Sequence, residues 1–96
     1  MNEIRNIELG NESYLSQNMP NPFSTTTTIE FEVIDKNGAT LQIYNSIGQL
    51  LLSKDFHQTG KINYKLENGN DLINGIYYYK LRANGSIETR KMICIK

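Results

Sequence analysis

Apolar and polar residues alternate along most of this chain, which is typical of β-strands that bury one face. In residues 26–33, for example, Ile29, Phe31 and Val33 share one face, while threonine and glutamate occupy the other. Further strand-like runs span residues 39–45, 49–56, 62–67, 76–83 and 87–95, with a short additional candidate near residues 14–17. The pattern therefore predicts about seven strands.

In two of these runs the alternation does not reveal which residues face inward. Three consecutive leucines, Leu50 to Leu52, have no period of their own, although the short distance between Gly48 and the loop at 57–60 favours a strand. In the last run, Ile93 and Ile95 compete with Met92 and Cys94 for the inward face. Both runs are assigned as strands, and the inward face of the last one stays open.

Turn formers separate the runs. Asn37-Gly38 and Asn84-Gly85 each lie between two alternating runs, which predicts a β-hairpin at each position. Twelve Ile against two Ala also favour strands over helices. The predicted fold is all-β, an immunoglobulin-like antiparallel β-sandwich of about seven strands.

The segment before the first long strand contains two prolines. Pro20 and Pro22 exclude a central strand but allow the chain to run along a sheet edge, with Phe23 as a buried anchor. Residues 1–13 are polar and without period, and we interpret them as a flexible linker or an expression remnant. The domain is expected to span residues 14–96.

Charge and residue chemistry exclude several classes of function. Ten basic residues balance ten acidic ones, which argues against a nucleic-acid binder that works through bulk positive charge. No apolar run approaches the ~20 residues of a membrane span, and the N-terminus lacks a signal-peptide pattern. His57 and Cys94 are the only residues of their types, interpreted as a loop histidine and a small buried residue. We expect no catalytic residues, no metal site and no cofactor.

Exposed tyrosines leave one binding function open. By their phase, Tyr77 and Tyr79 point inward, whereas Tyr44 and Tyr78 are expected as separate exposed rings. Because aromatic faces stack on sugars, the alternative hypothesis is that the domain is an accessory carbohydrate- or surface-binding module. That module would need a row of aromatic side chains on one flat sheet face, which the sequence by itself does not indicate.

Several short motifs, taken in order, resemble the C-terminal sorting domains of the type IX secretion system, the Por secretion tail family, in its type A form. The domain-start motif is Pro20, Asn21, Pro22 and Phe23, and a second match is the Gly75-Ile76-Tyr77 strand start. The third is a basic and apolar tail at the end of the chain: Lys91, Met92, Ile93, Cys94, Ile95 and Lys96. A further piece, residues 41–45 with Gly48, is similar to the family's second strand and its turn.

This resemblance implies an export address rather than an enzyme. Domains of this kind, in Bacteroidetes-type bacteria, fold in the periplasm and direct an upstream cargo protein through the outer-membrane translocon. A surface sortase usually removes them, so that the cargo reaches the cell surface or the medium. The implied partners are therefore translocon and sortase components and the covalently linked cargo. The implied recognition residues are Gly75, Tyr77 and residues 91–96, with cleavage within or near residues 1–18.

A mechanism for recognition follows if the last strand lies at a sheet edge. Unpaired backbone groups there could accept a strand from a partner, and Lys91 and Lys96 could steer an acidic receptor. The alternative is that edge lysines only prevent aggregation.

Overall fold

The computed structural model describes residues 14–67, 72–83 and 85–96, and it is built from seven strands. They are β1 (Tyr14–Leu15), β2 (Thr26–Val33), β3 (Ala39–Asn45), β4 (Leu50–Phe56), β5 (Gly60–Glu67), β6 (Gly75–Ala83) and β7 (Ser86–Cys94). The predicted all-β fold is confirmed. The proposed linker at residues 1–13 lies outside the described residues.

The strands form two antiparallel sheets that face each other. The three-stranded sheet has the order β1-β2-β5, and the four-stranded sheet has the order β4-β3-β6-β7. Neighbouring strands β6 and β7 form a hairpin in which Ala83 pairs with Ser86. The hairpin predicted there is confirmed, although Asn84 itself lies outside the described residues.

The hairpin predicted at Asn37-Gly38 is wrong. The turn forms, because the Gly38 amide donates to the Asp35 carbonyl at 2.9 Å, but β2 and β3 lie in different sheets. Gly38 has a φ of 90°, and a Cβ added there would clash with the Phe56 carbonyl oxygen of β4. Glycine is needed where the chain crosses between the sheets close to another backbone, so the Asn-Gly signal marked a turn but not a strand pair.

Alternate side chains of both sheets meet in one core. Its buried members include Ile29, Phe31 and Val33 from β2, together with Leu41, Ile43, Tyr77, Tyr79, Leu81, Met92 and Cys94 from the four-stranded sheet. Burying a side chain of this size stabilises a fold by about 1.5–3 kcal/mol. The inward faces predicted for β2, β3 and β6 are confirmed.

The leucine run in β4 contains a bulge. Ile43 pairs with Leu52 and Tyr44 with Leu50, so Leu51 is an extra residue opposite β3. The bulge places Leu50 on the outer face of the sheet and leaves Leu52 packed against the core. An extra residue changes the phase within the strand, which explains why the run has no period.

Candidate recognition surface

The tail is divided between the core and the surface. Met92 and Cys94 are fully buried, whereas Lys91, Ile95 and Lys96 are exposed and Ile93 is half-buried. The inward face of β7 is therefore the one that carries Met92 and Cys94. Of the tail side chains, those of Lys91, Ile93, Ile95 and Lys96 are therefore accessible to a partner, at least in part.

The outer edge of the tail is covered by residues 14–23, which we call the lead-in segment. The Phe23 amide donates to the Ile93 carbonyl at 3.0 Å, and the Ile95 amide donates to the Phe23 carbonyl at 2.8 Å. The Ile93 amide donates to Asn21 Oδ1 at 2.9 Å, and Gln17 Nε2 donates to the Lys91 carbonyl at 2.7 Å. The lead-in segment thus lies beside the tail in the position of an irregular fifth strand of this sheet.

This cover corrects the expectation that the tail offers an unpaired edge. β7 is the last strand of its sheet, as expected, but from the Lys91 carbonyl to the Ile95 amide the backbone groups on its outer side are hydrogen-bonded to the lead-in segment. Among the described residues, the backbone groups of Ile87 and Thr89 on the same side, in the first half of β7, have no hydrogen bond to the lead-in segment. A partner cannot add a strand along the tail while the lead-in segment is in place.

A buried hydroxyl anchors the lead-in segment to the core. Tyr79 is fully buried, and its hydroxyl accepts from the Asn18 amide at 2.8 Å and donates to the Ser16 carbonyl at 2.7 Å. Burial raises the pKa of Tyr79 to about 12, opposed by the hydrogen bond from Asn18 and by the charge of Arg90. The hydroxyl is therefore a neutral structural link at physiological pH.

Sequence reasoning missed the polar residues that shape the lead-in segment. Asn18 is buried, and its Nδ2 donates to the Pro20 carbonyl at 3.1 Å and to Thr27 Oγ1 at 3.0 Å. The Thr27 hydroxyl in turn donates to the Pro20 carbonyl at 2.8 Å. Thr27 occupies an inward position in β2 where the alternation would place an apolar residue, and this break in the pattern was the available signal.

Charged side chains close the same side of the sandwich further along. Glu88 Oε1 accepts from the Leu15 amide at 3.2 Å, and Arg90 Nε donates to the Leu15 carbonyl at 2.9 Å. Both side chains lie on the inward side of β7 but reach only the backbone of β1. This explains why the last strand carries charges on both faces and why its sequence did not reveal which face points inward.

The structure places the predicted residues Gly75 and Tyr77 at the start of β6, beside the tail. Gly75 pairs with Cys94 and is exposed, whereas Tyr77 is buried and its hydroxyl donates to the Ile73 carbonyl at 2.7 Å. Burial raises the pKa of Tyr77 above its usual value, and the neighbouring Cys94 adds to the rise. Tyr77 is a core residue, and a role in recognition for it and for Gly75 stays a prediction.

Tyr44 and Tyr78 are neighbours and not the separate exposed rings that were expected: Tyr78 is exposed, but Tyr44 is half-buried. Tyr44 of β3 lies directly opposite Tyr78 of β6 on the outer face of the four-stranded sheet, and Tyr78 in turn lies opposite Lys91 of the tail. Ile76 pairs with Ile93 in the next row. Their adjacency could not be read from the sequence because β3 and β6 are 30 or more residues apart in the chain.

The chain matches a known family over residues 19–96, from Met19 just before the domain-start motif to the last residue of the tail. That family is described as the secretion system C-terminal sorting domain. The chain belongs to this family. A comparison with curated proteins gave no match.

Membership in the sorting-domain family makes this chain a type IX secretion signal, which implies contact with the secretion machinery, an upstream cargo and export to the cell surface or beyond. The family is not an enzyme family. Within residues 14–67, 72–83 and 85–96, no three His, Cys, Asp or Glu side chains are grouped as a metal site would require. The described part of the chain contains no helix long and apolar enough to cross a membrane.

Proposed function

We propose that the domain is exported as a folded unit, together with a cargo attached ahead of Tyr14, and that the translocon recognises it through tail side chains. The observation that carries this proposal is the contact between the two ends of the family pattern. The domain-start motif and the tail lie at opposite ends of the matched region, yet Asn21 and Phe23 bind the backbone of Ile93 and Ile95 directly. A signal that requires both ends is complete only when the domain is folded.

In this proposal the domain folds in the periplasm and a surface sortase then removes it. We place the scissile bond before Tyr14, which narrows the wider window, within or near residues 1–18, that the resemblance implies. Leu15 and Asn18 are buried, and their backbone is hydrogen-bonded to Arg90, Glu88 and Tyr79. Proteases need an extended, accessible backbone, and a cut between Leu15 and Asn18 would first require this side of the sandwich to open.

The test is an export assay with the full 96-residue chain fused behind a fluorescent reporter in a bacterium that has the type IX machinery. We expect fluorescence at the surface or in the medium, and none there in a strain without the translocon. Retention of the intact fusion in the periplasm of both strains would overturn the proposal.

Two further measurements examine its parts. A chain that ends at Cys94 keeps all of β7 and the buried Met92 and Cys94 but lacks the exposed Ile95 and Lys96. We expect it to be exported less efficiently, whereas Asn63→Ala on the other sheet should be exported normally. Mass spectrometry of the released cargo should give a C-terminus ahead of Tyr14; a cut after Asn18 would contradict the proposed position.

A further inference from the structure

The outer faces of the two sheets differ in a way that the fold does not require. On the three-stranded sheet, the outward side chains of β2 and β5 are polar throughout: Thr26, Thr28, Glu30, Glu32, Lys61, Asn63, Lys65 and Glu67. On the four-stranded sheet, one half of the outer face is apolar, made by Tyr44, Leu50, Ile76, Tyr78 and Ile93 next to Lys91. We call these six residues the tyrosine face.

The tyrosine face exposes large side chains that contribute little to the core. Leu50 is 48% exposed, Ile76 is 42% exposed and Tyr78 is 38% exposed, and Ile47 in the adjoining turn is 85% exposed. Contiguous apolar residues on a sheet face without a covering layer are typical of interaction sites. The long strands β2 and β5 of the other sheet have polar outward side chains, although Tyr14 and Met19 beside β2 are exposed. The larger apolar set on the four-stranded sheet therefore points to a partner.

The charges around the tyrosine face have one dominant sign. Lys80, Arg82 and Lys91 lie on the outer face of β6 and β7, against the single carboxylate of Asp55 on β4. Among the described residues, no carboxylate lies within ion-pair distance of these three cations, whereas Lys61 and Lys65 on the other face lie 3.9 and 3.5 Å from Glu30 and Glu67. Cations without a carboxylate partner suit an acidic partner surface.

The aliphatic side chains around the two tyrosine rings favour a protein partner over a sugar. Sugars stack on open aromatic faces, but here Lys80 Nζ lies 4.9 Å from the centre of the Tyr44 ring and covers one side of it. Ile76, Ile93 and Leu50 surround the two rings with aliphatic side chains. An apolar centre with a polar and charged rim is the usual composition of a protein interface.

We propose that the tyrosine face is the docking surface for a folded protein of the secretion machinery, whose own surface has an apolar centre surrounded by acidic residues. The inference rests on the proposed function and specifies which side of the domain is recognised. It also accounts for the tail: with the outer edge closed by the lead-in segment, Lys91 and Ile93 are accessible through this face rather than through their backbone.

The test compares matched variants in the same full-length export assay. Tyr44→Thr with Tyr78→Thr keeps β-forming residues while removing both rings, and Lys80→Glu with Lys91→Glu reverses the charge. The control is Lys61→Glu with Lys65→Glu, two reversals on the opposite outer face. We expect export to fall about tenfold for each variant of the tyrosine face, the scale expected when one or two central interface residues are lost, and to stay within about twofold for the control.

The outcomes separate the two proposals. If the unchanged fusion is not exported, the proposed function fails. If it is exported and the variants are exported equally well while melting like the unchanged domain, the docking inference alone is wrong. Glycan binding by the purified domain that is lost in Tyr44→Thr with Tyr78→Thr, with normal export, would assign the face to a sugar and overturn the inference.

A cross-linking experiment keeps the inference testable even if a variant fails to fold. A photo-reactive amino acid at Ile76 should give an adduct in exporting cells that is absent in cells without the translocon. The same amino acid at Lys65 should give no translocon-dependent adduct. Adducts at Lys65 but not at Ile76 would overturn the assignment of the face.

Discussion

The two open sides of this sandwich are protected by different means. On one side, the lead-in segment, which includes β1, is joined to β7 through backbone and polar side-chain hydrogen bonds of 2.7–3.2 Å. On the other side, β4 and β5 are separated by a groove of about 550 Å³ lined mainly by Ile43, Leu51, Leu52, Tyr64, Leu66 and Leu72. There the two sheets are in contact through aromatic rings: the ring centroids of Phe56 in β4 and Tyr64 in β5 are 6.0 Å apart.

These two sides show how a small domain can protect a sheet edge without closing a barrel. The β7 edge is covered by the chain's own backbone, which satisfies directional hydrogen bonds and holds one conformation. The β4 edge instead carries a bulge at Leu51 and a lysine, Lys54, paired with the core residue Leu41, and both features discourage pairing with another strand. The hydrogen bonds that fix one conformation thus concentrate on the β7 side, where the domain-start motif and the tail meet.

The largest effect is expected when the covered side loses its anchor. Phe23→Ala removes a buried ring that lies beside the two hydrogen bonds to the tail, so we expect the free energy of unfolding to fall by about 3–5 kcal/mol. Urea denaturation followed by circular dichroism measures this change. Ile47→Ala, at a residue that is largely exposed, serves as the control and should cost less than about 0.5 kcal/mol.

A smaller loss is expected from Tyr79→Phe. The ring remains, but the Asn18 amide and the Ser16 carbonyl lose their shared hydroxyl partner. Leaving buried backbone groups unpaired should cost about 2–3 kcal/mol. Tyr78→Phe, on the solvent side of the same strand, should be nearly neutral in the same denaturation experiment; an equal loss at both positions would contradict the role given to the Tyr79 hydroxyl.

The same hydroxyl should make stability depend on alkaline pH. Because the pKa of Tyr79 rises to about 12 in the folded state, the unfolded chain releases this proton first as the pH passes the usual value of 10. The unfolded state then binds fewer protons than the folded one, so stability falls as the pH rises from about 10 to about 12, by up to about 2 kcal/mol. Between these pH values, the melting temperature should fall less steeply for Tyr79→Phe than for the unchanged domain. The fall that remains is expected from Tyr77, whose pKa is also raised.

The smallest effect is expected on the groove side. Leu51 sits in the bulge and is exposed, so Leu51→Ala should change the free energy of unfolding by less than about 1 kcal/mol. Leu41→Ala on the inward face of the neighbouring strand, at about 2–5 kcal/mol, is the matched comparison. A loss of similar size at Leu51 would mean that the groove side is as tightly packed as the covered side.

Local pattern predicted the strands well and their partners poorly. The alternation in β2 and β6 identified Ile29, Phe31, Tyr79 and Leu81 as inward residues because each position depends only on its own strand. The Asn37-Gly38 turn misled because turn chemistry specifies a reversal of the chain and not the sheet that receives the next strand.

The candidate site was only half predictable for the same reason. The tail and the domain-start motif were recognised from their residues, but the hydrogen bonds between them join groups about 70 residues apart in the chain, such as Asn21 and Ile93. The pairing of Tyr44 with Tyr78 likewise depends on which strands become neighbours.

By itself, the sequence determined the all-β class, the inward faces of the regular strands and the resemblance to a sorting domain, since these depend on period, turn residues and short motifs. Only the tertiary structure decided that the lead-in segment covers the tail, that Met92 and Cys94 face inward, and that two tyrosines and Lys91 form one row. The physical reason is that edge cover and surface rows arise from contacts between distant segments, whose register is set by packing of the whole core rather than by any local stretch.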